Sequence, residues 1–316
     1  MLLNLLLLLA CSSPDTGNTR VDEKTYDLPA VYSQDIEKPL AQAMLSFESN
    51  PRRKLWMFEQ QGERFVRLEP HMGKDISSLG ALVVDDRLYL TGICWWPGCG
   101  SEEEMHKRKK YGPLVFGLST TDLDTWTSHQ WRLVDNKNHT PIDPQLSNGK
   151  DGLELWYFGA AGQKHTDPMD RSPHDIQKAT LGQDNRFHNA STYIRAAGLA
   201  DPSPIVFQGT QWVFATQFAA ESVVAYRGNP PQQTHRFQGV SVPFAMVVDD
   251  ELWLLATRIV NGRQQPVRSI SKDGDTFSDF EPFLPTDTDQ VCASPVGAVF
   301  NNKTVIFCVE EPTRPG

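Results

Sequence analysis

The sequence predicts an all-β fold, a five-bladed β-propeller whose ring is closed by pairing the N-terminal hairpin with the C-terminal hairpin. Three observations predict it: a hairpin pattern that recurs along the chain, a polar turn ending on an aromatic residue that alternates with it, and two chain ends that each carry half of the repeat unit. A repeat of roughly 40 to 60 residues in a strand-rich chain is typical of propeller blades.

The first recurring element is an apolar strand, a short polar turn and a second apolar or aromatic strand. Strand-forming runs separated by Asp, Asn or Gly are the signature of a β-hairpin. The copies are ALVVDDRLYLTG from Ala81, PIVFQGTQWVFAT from Pro204, FAMVVDDELWLLAT from Phe244, GAVFNNKTVIFCV from Gly297 and, with a longer turn, IDPQLSNGKDGLELWYFG from Ile142.

The second recurring element is a turn rich in Ser, Asp and Gly that ends on an aromatic residue. Asp and Ser side chains can hydrogen bond to the backbone of such a turn, while the aromatic ring fills the space between adjacent sheets. Clear copies run from Ser119 to Trp126 and from Ser271 to Phe277, and weaker copies end at Phe65, Phe187 and Phe237. The five aromatic endings predict five units.

The two elements alternate, so each unit is predicted to be a four-stranded antiparallel blade. The chain begins with a hairpin of the second kind, roughly Lys54 to Leu68, and ends with one of the first kind, roughly Ser294 to Val309. Joining them completes the fifth blade and removes exposed sheet edges. An open β-sandwich is the alternative, but it gives no reason for the two ends to be complementary halves.

Residues 1–11 resemble a lipoprotein signal peptide. A leucine-rich run ends in Leu8-Leu9-Ala10-Cys11, and it is shorter than the ~20 apolar residues that a transmembrane helix needs. We expect lipidation at Cys11 and an exported protein at the cell envelope, on the outer membrane or periplasmic face, held to the membrane through its lipid anchor only. No Lys or Arg precedes the run, which leaves the true start codon open, and a buried N-terminal strand is the alternative.

The rest of the chain divides into two regions. Residues 12–50 are rich in Ser, Pro, Asp, Asn, Gln and Lys, a composition that buries too little apolar surface to fold alone. We predict that they form a flexible tether. Residues 51–316 form the predicted propeller.

Four cysteines remain besides Cys11: Cys94, Cys99, Cys292 and Cys308. An even number suits disulfides in an oxidising compartment, and a Cys94–Cys99 bridge would close a short loop. Four cysteines permit three pairings, and the sequence does not choose among them. A zinc site is disfavoured because there is no CxxC pair and no His at ligand spacing, and we expect no metal and no cofactor.

The net charge of −9 argues against nucleic acid as a partner, because binding a phosphate backbone needs concentrated positive charge. The one basic run, residues 107–110, lies two residues after Glu102 to Glu104, and the charges nearly cancel. We therefore expect a glycan or another extracellular ligand as the partner, and a monomer.

The long connections of the predicted propeller share one face. In a four-stranded blade the chain returns to the face where the inner strand begins after the second and fourth strands, and long loops on a rigid ring usually carry binding. The inner strands begin with Asp143 and Asp201 in blades two and three, each before a proline, and with Ser78, Val242 and Ser294 in the other blades.

These segments resemble the five-bladed family 43 glycoside hydrolases and their relatives among the invertases and levansucrases. ADPSPIVFQGTQWVFAT and IDPQLSNGKDGLELWYFG are similar to that family's blade openings, and SKDGDTF and STTDLDTW to its outer turns. The resemblance covers roughly residues 54 to 311. It implies that an aspartate near the start of an inner strand presents its carboxylate to a sugar. Sialidases share the outer turn, on six blades.

The catalytic pattern implied by that resemblance is incomplete. The family places an Asp base in blade one, a second Asp in blade two and a Glu acid in blade three. Asp143 matches the second position, but Ser78 occupies the first, with Asp75 nearby, and Asp201 replaces the Glu. Hydrolysis needs one protonated and one ionised carboxyl group, which Asp143 and Asp201 could supply, with Asp75 or Glu221 tuning their pKa values. Capping of the strand start by backbone hydrogen bonds is the alternative for both aspartates.

Other candidate ligand-binding residues lie in loops of the same face. Trp95 and Trp96 could form a stacking platform for a sugar ring or, alternatively, pack within a loop. The remaining candidates are charged or imidazole side chains that elsewhere are often simply solvated or ion-paired: His165, Arg171, His174, Arg258 and Glu310.

Two functions stay open at this point. The first is a glycoside hydrolase in which one of Asp143 and Asp201 is the acid and the other the base or nucleophile. The second is a noncatalytic propeller that binds carbohydrate or protein at the same mouth. Two carboxylates about 5 to 10 Å apart across an open pocket would favour hydrolysis, whereas burial in separate backbone networks would exclude it. The sugar and the linkage are not readable.

Overall fold

The computed structural model describes residues 55–72, 76–94, 114–134, 141–159, 175–196, 198–217, 220–285 and 292–310. Within these ranges the chain forms twenty strands and no α-helix, so no helix there is long and apolar enough to cross a membrane. The predicted signal peptide, Cys11 and the tether of residues 12–50 lie outside the described residues.

The first half of the strands follows the predicted hairpins. The N-terminal hairpin is β1 (Leu55–Gln61) and β2 (Arg64–Met72). Blade one contains β3 (Ile76–Val84), β4 (Arg87–Cys94), β5 (Leu114–Thr120) and β6 (Thr127–Leu133), and blade two contains β7 (Ile142–Gly149), β8 (Gly152–Gly159), β9 (Asp175–Leu181) and β10 (Arg186–Ile194).

The second half continues in the same way. Blade three contains β11 (Leu199–Phe207), β12 (Thr210–Gln217), β13 (Ser222–Arg227) and β14 (Gln232–Gln238). Blade four contains β15 (Ser241–Val248), β16 (Glu251–Val260), β17 (Arg263–Ser271) and β18 (Glu281–Pro282). The C-terminal hairpin is β19 (Cys292–Phe300) and β20 (Lys303–Glu310).

The two ends of the chain meet in one sheet. Strand β1 pairs antiparallel with β20, with Leu55 opposite Val309 and Glu59 opposite Val305, which gives a four-stranded sheet in the order β19, β20, β1, β2. The inner strands β3, β7, β11, β15 and β19 each contact the next, and β19 contacts β3. The prediction of an all-β propeller is confirmed.

A disulfide reinforces this sheet. Cys292 of β19 is bonded to Cys308 of β20, with their Cα atoms 5.6 Å apart. A disulfide among the four cysteines was predicted without a pairing, and the structure supplies this one. Cys99 and the side chain of Cys94 lie outside the described residues.

The aromatic ends of the polar turns pack between blades. Four of the five rings meet an aromatic ring of the preceding blade, with centroid distances of 6.0 Å for Trp126 and Phe307, 6.4 Å for Phe187 and Trp131, 6.2 Å for Phe277 and Phe214, and 5.6 Å for Phe65 and Phe283. The fifth, Phe237, packs against Phe277 and Phe280 of the following blade, at 5.1 and 5.7 Å. Burying one such side chain contributes about 2 kcal/mol. These contacts hold the blades at a fixed spacing around the inner strands.

The polar turns themselves are stabilised by aspartate. Asp122 accepts hydrogen bonds from the backbone amides two and three residues further on, at 2.9 and 2.7 Å, and Asp273 does so at 2.8 Å in both cases. These backbone donors lower the pKa of both carboxyl groups. The aspartates of these turns therefore shape the outer ends of the blades.

Blades one and two are joined more closely than the others. Strand β10 pairs in parallel with β6, with Arg186 opposite Arg132 and Phe187 opposite Leu133. The two blades consequently form a continuous eight-stranded sheet. The sequence repeat does not predict this join, because it lies between outer strands of different units.

Candidate functional site

All five inner strands begin with the same backbone irregularity. Each contains a β-bulge in its pairing with the second strand of its blade. In each bulge one non-glycine residue has a positive φ: Ser78 (55°), Asp143 (49°), Asp201 (49°), Val242 (50°) and Ser294 (52°). Because bulges change the direction of side chains, these five equivalent residues determine which side chains lie at the start of each inner strand.

The residue types at the bulges differ in how well they suit this conformation. Asp and Asn tolerate positive φ better than most residues, since their short side chains can hydrogen bond locally. A β-branched residue such as Val242 is strained there. The recurring bulge is therefore a property of the fold. The fold does not itself require an aspartate at Asp143 or Asp201.

Asp143 lies at the centre of a buried network. Its side chain is 7% exposed and hydrogen bonds to the side chain of Asp201, to the Ser78 hydroxyl and to the backbone amide of Asp201. These partners come from the inner strands of blades one and three, on either side of β7. Asp143 therefore connects three adjacent blades at the start of their inner strands.

Asp201 completes the network and is partly exposed. Its carboxyl group accepts hydrogen bonds from the carboxyl group of Asp143 and from the hydroxyl of Thr216 in β12. The result is a chain of four side chains, from Ser78 through Asp143 and Asp201 to Thr216.

The electrostatics of the pair require a shared proton. Burial raises the pKa of Asp143 well above its ordinary value, and the neighbouring Asp201 charge raises it further. Burial also raises the pKa of Asp201. The hydrogen bonds from Asp143 and Thr216 lower it, but by less than burial raises it. Two carboxyl groups in contact cannot both ionise readily. Of the two, Asp143 has the pKa that is raised further, so it keeps its proton more firmly than Asp201 does.

At the next two junctions, between blades three and four and between blades four and five, a threonine hydroxyl group accepts a backbone hydrogen bond from the following blade. The backbone amide of Val242 donates to Thr216 Oγ1 at 2.8 Å, and that of Ser294 donates to Thr257 Oγ1 at 3.0 Å. In blade two the residue equivalent to these threonines is Phe158, whose side chain accepts no hydrogen bond. Asp143 supplies the missing acceptor for the amide of Asp201.

Polar contacts also fix the inner strands of blades one and two. Thr91 Oγ1 donates to the carbonyl of Pro144 at 2.8 Å, and Gln145 Nε2 donates to the carbonyl of Leu79 at 2.6 Å. Gly80 makes room for this arrangement, since a Cβ atom there would collide with Thr91 and Gln145. The strand that carries Asp143 is thus held against blade one.

Two further candidates lie apart from the aspartate pair. Glu221 is exposed, has a φ of 44°, and its carbonyl accepts from the amide of Gly239 at 3.0 Å. Arg258 Nη1 donates to the carbonyl of Phe280 at 3.3 Å, beside a groove that Phe237 also lines. Neither residue is among the partners of the pair.

The structure does not describe the remaining candidate residues. Their predicted roles stay predictions, because the following lie outside the described residues: Asp75, Trp95, Trp96, His165, Arg171, His174 and the side chain of Glu310. In the part of the chain that the structure describes, no three His, Cys, Asp or Glu side chains cluster as metal ligands.

Sequence reasoning missed Thr216 as a partner of Asp201. The signal was present, because Thr216 and Thr257 stand at the same place, the last residue of PIVFQGTQWVFAT and FAMVVDDELWLLAT. Recurrence showed a shared structural position. It did not show that one of the two threonines would meet a carboxylate.

Sequence comparison gives no relatives: no protein-family model matches the chain, and no curated protein matches it. Solved structures do match by fold. An exo-1,5-α-L-arabinanase from a bovine ruminal metagenomic library has a TM-score of 0.52 at 10% identity, over 74% of this chain and 87% of its own. A thermostable family-43 glycoside hydrolase has a TM-score of 0.52 at 9% identity, over 77% and 96%.

An exo-β-1,3-galactanase from Clostridium thermocellum has a TM-score of 0.50 at 12% identity. The match covers 73% of this chain, which spans 58% of the galactanase. At such low identity these similarities establish the fold alone. The chain has the propeller fold of the family 43 glycoside hydrolases, as the resemblance in its repeats implied.

Proposed function

We propose that this propeller binds a glycan at the mouth of its ring, with Asp143 and Asp201 as the polar centre of the site. The observation that carries the proposal is the direct contact of these two carboxyl groups on adjacent inner strands. The fold adds support, because its structural neighbours include an arabinanase and a galactanase.

The pair is suited to recognising sugar hydroxyl groups. Asp201 is partly exposed and ionises more readily than Asp143, whose pKa is raised further, and a charged acceptor makes hydrogen bonds roughly twice as strong as a neutral one. Asp143 and Thr216 hold its carboxylate in one orientation. A sugar hydroxyl that approaches Asp201 therefore meets a fixed acceptor on a rigid strand.

Binding fits the geometry better than hydrolysis does. Hydrolases that retain configuration place their two carboxyl groups about 5 to 5.5 Å apart, and inverting ones about 6.5 to 9.5 Å apart, with the scissile bond between them. Here the two groups hydrogen bond to each other, and the proton of Asp143 is directed at Asp201. No sugar can lie between groups in this arrangement.

Hydrolysis is the second candidate, favoured by one feature: the pKa values of both carboxyl groups are raised, that of Asp143 further, and unequal pKa values allow the pair of one protonated and one ionised carboxyl group that glycoside hydrolysis requires. Asp143 would be the general acid and Asp201 the base or nucleophile. In this case an incoming sugar must first separate the two groups, so that the Asp143 proton can reach the leaving oxygen.

The proposed location is the cell envelope, with the propeller attached through lipid on Cys11. The lipobox-like ending supports it, and the Cys292–Cys308 disulfide suits an oxidising compartment. Metabolic labelling with a fatty acid should mark the full chain, and Cys11→Ala should abolish the label and release the protein from membranes. Labelling that persists in Cys11→Ala would contradict lipidation at this residue.

A glycan screen tests the proposed function. The full chain is assayed for binding to plant and microbial polysaccharides, and for release of reducing sugar from them and from aryl glycosides. We expect binding to at least one neutral glycan and a loss of at least tenfold in affinity in Asp201→Asn, because the charged acceptor is gone. Sugar release that disappears in Asp143→Asn would favour the second candidate.

The matched control is Asp249→Asn. Asp249 is exposed in the β15–β16 turn, away from the strand starts, and its φ of 48° is close to that of Asp201. The substitution removes the same charge from the same backbone conformation and should leave binding unchanged. Failure to bind any glycan, or equal binding by wild type and Asp201→Asn, would overturn the proposal.

A further inference from the structure

We propose that the groove between the outer edges of blades three and four is a second binding site, which takes neutral sugar units. The inference rests on the proposed glycan binding and adds a second place for it, since neither Asp143 nor Asp201 lines the groove. It is carried by aromatic rings that stay partly exposed, by an arginine and an aspartate without ion pairs, and by the short outer strand that opens the groove.

The groove is lined by residues of β14 and β16 and by the segment 277–280 that precedes β18. Its volume is about 460 Å³, which lies within the range of roughly 300 to 1,000 Å³ typical of small-molecule sites. One lining residue, Arg258, is near the end of β16, on the mouth side of the ring. The groove is therefore open from the face that carries the aspartate pair.

The groove exists because the outer strand of blade four is short. Strand β18 has 2 residues, whereas β14 has 7 and β10 has 9. Between blades one and two the outer strands pair with each other, and Phe187 in that pairing is 0% exposed. In the described part of the chain β14 and β18 belong to separate sheets. The space that strand pairing fills between blades one and two thus stays open between blades three and four.

Three phenylalanine rings form one side of the groove. The Phe237 ring centroid lies 5.1 Å from that of Phe277 and 5.7 Å from that of Phe280, both edge to face. All three side chains are partly exposed, whereas Phe65 and Trp126 at other blade junctions are only 6% and 7% exposed. An aromatic surface that the fold leaves open can pack against the apolar C–H face of a sugar ring.

Arg258 and Asp279 supply a charged donor and a charged acceptor beside these rings. Arg258 Nη1 donates to the carbonyl of Phe280 at 3.3 Å, which uses one of the five N–H donors of a guanidinium. Neither Arg258 nor Asp279 takes part in an ion pair among the described residues. A ligand in the groove can therefore both accept from Arg258 and donate to Asp279.

The two opposite charges favour a neutral ligand. An anionic ligand would be attracted by Arg258 but repelled by Asp279, and a cationic ligand the reverse. A purely apolar ligand would desolvate both charged groups without replacing their hydrogen bonds, which is unfavourable. A neutral sugar has apolar C–H groups for the rings and hydroxyl groups that donate and accept. Its chemistry matches every part of the groove.

The wall that carries Asp279 is fixed to β17 before any ligand arrives. The amide of Ser278 donates to the carbonyl of Ile270 at 2.9 Å, and its hydroxyl accepts from the amide of Ile270 at 3.0 Å. Ser269 Oγ donates to the carbonyl of Ser278 at 2.6 Å. A preformed wall reduces the ordering cost of binding.

The experiment observes the groove directly. The full chain, labelled with 4-fluorophenylalanine, is titrated with neutral pentasaccharides of glucose, xylose, mannose, galactose or arabinose and followed by fluorine-19 NMR. Single Phe→Leu variants assign the signals of Phe237, Phe277 and Phe280. We expect these three signals to shift saturably with at least one sugar, while the signal of Phe65 does not move. Arg258→Gln should weaken this titration about fivefold or more, because the charged donor is lost.

Arg227→Gln is the matched control. Arg227 is also partly exposed, but it lies at the end of β13, on the opposite face of the ring, so its replacement should leave the groove titration unchanged. The inference is overturned if no neutral sugar shifts the three groove signals, if Arg258→Gln titrates as the wild type, or if Arg227→Gln weakens binding equally. If Arg258→Gln does not fold, Asp279→Asn takes its place, with the same expected loss.

Asp201→Asn separates this inference from the proposed function. Groove signals that still respond in this variant, together with a loss of overall affinity, support two sites. Groove signals that no longer respond in it would show a single site and overturn the inference. Groove binding with equal overall affinity in wild type and Asp201→Asn would refute the proposed role of the aspartate pair alone. A loss of affinity in Asp201→Asn with silent groove signals in the wild type would refute this inference alone.

Discussion

The junction between blades two and three differs from the junctions on either side of blade four, although all three satisfy the same backbone amide. At the latter two the acceptor is a threonine hydroxyl, Thr216 or Thr257. Between blades two and three it is the carboxyl group of Asp143. A hydroxyl group accepts the equivalent amide at these two junctions, so the amide alone does not account for a carboxyl group at position 143.

The carboxyl pair also has a free-energy cost that the hydroxyl groups do not have. Burying an ionisable group is unfavourable unless it is neutral or fully hydrogen bonded. Asp143 meets this condition by keeping its proton, and Asp201 by accepting two hydrogen bonds. A site that retains an unfavourable charge on a rigid scaffold is a candidate for binding or catalysis.

Replacing Asp143 with alanine should have the largest effect on stability. At pH 5 the variant leaves the Asp201 amide without an acceptor and the Asp201 carboxyl group without one of its two donors, which should lower the free energy of unfolding by about 3 kcal/mol. Denaturant unfolding measures it. If Asp143→Ala loses no more stability than Thr257→Val, the two kinds of junction are energetically alike and the comparison fails.

Replacing Thr257 with valine should have the next largest effect. The substitution keeps the shape of the side chain but leaves the Ser294 amide unpaired, so the free energy of unfolding should fall by about 1 to 2 kcal/mol. Thr257→Ser, which keeps the hydroxyl, is the control and should lose less. An unchanged unfolding midpoint in Thr257→Val would show that the hydroxyl is not needed at this junction.

Replacing Val242 with asparagine should stabilise the protein. Val242 has a φ of 50°, a strained conformation for a β-branched residue, and asparagine tolerates it at a gain of about 1 kcal/mol. Thermal unfolding measures the gain, and Val242→Thr, which keeps the branch at Cβ, should show none. A lower melting temperature in Val242→Asn would mean that apolar packing outweighs backbone strain at this bulge.

Asp143→Asn should have the smallest effect at acidic pH, within about 0.5 kcal/mol, since an amide can replace a protonated carboxyl group in every hydrogen bond. Because the folded pKa of Asp143 is raised, the wild type is fully stabilised below the ordinary aspartate pKa of about 3.9. It loses that stability as pH rises through the folded pKa. The variant lacks this loss, so its advantage should grow from pH 4 to pH 8.

Unfolding of both proteins across this range, with Asp249→Asn as the control, measures the difference. The control should show no such trend, because Asp249 is exposed. A constant difference between wild type and Asp143→Asn would contradict a raised pKa for Asp143.

The fold could be predicted from the sequence because each repeat is a hairpin formed by residues that are close together in the chain. In the first recurring element, the two strands are joined by Asp-Asp or Asn-Asn turns, and the structure places Asp85 and Asn301 in the left-handed conformation of such turns. The complementary ends predicted that the N-terminal hairpin joins the C-terminal one, and the structure pairs β1 with β20. The parallel pairing of β6 and β10 was not accessible, since it depends on how two blades twist against each other.

The candidate site could be predicted from the sequence only in part. Asp143 and Asp201 could be matched as equivalent positions of neighbouring repeats, because both precede a proline at the start of an inner strand. Their direct contact was not readable, since it depends on the left-handed bulge that turns both side chains toward each other. Capping and pairing proved compatible, because Asp143 binds the backbone amide and Asp201 at once.

The most direct measurement is infrared spectroscopy of the full chain at pH 7, which distinguishes a protonated from an ionised carboxyl group by its carbonyl stretch. The account predicts one protonated carboxyl group in the wild type, absent in Asp143→Asn and retained in Asp249→Asn. A wild-type spectrum with no protonated carboxyl group, or the same band in Asp143→Asn, would contradict it.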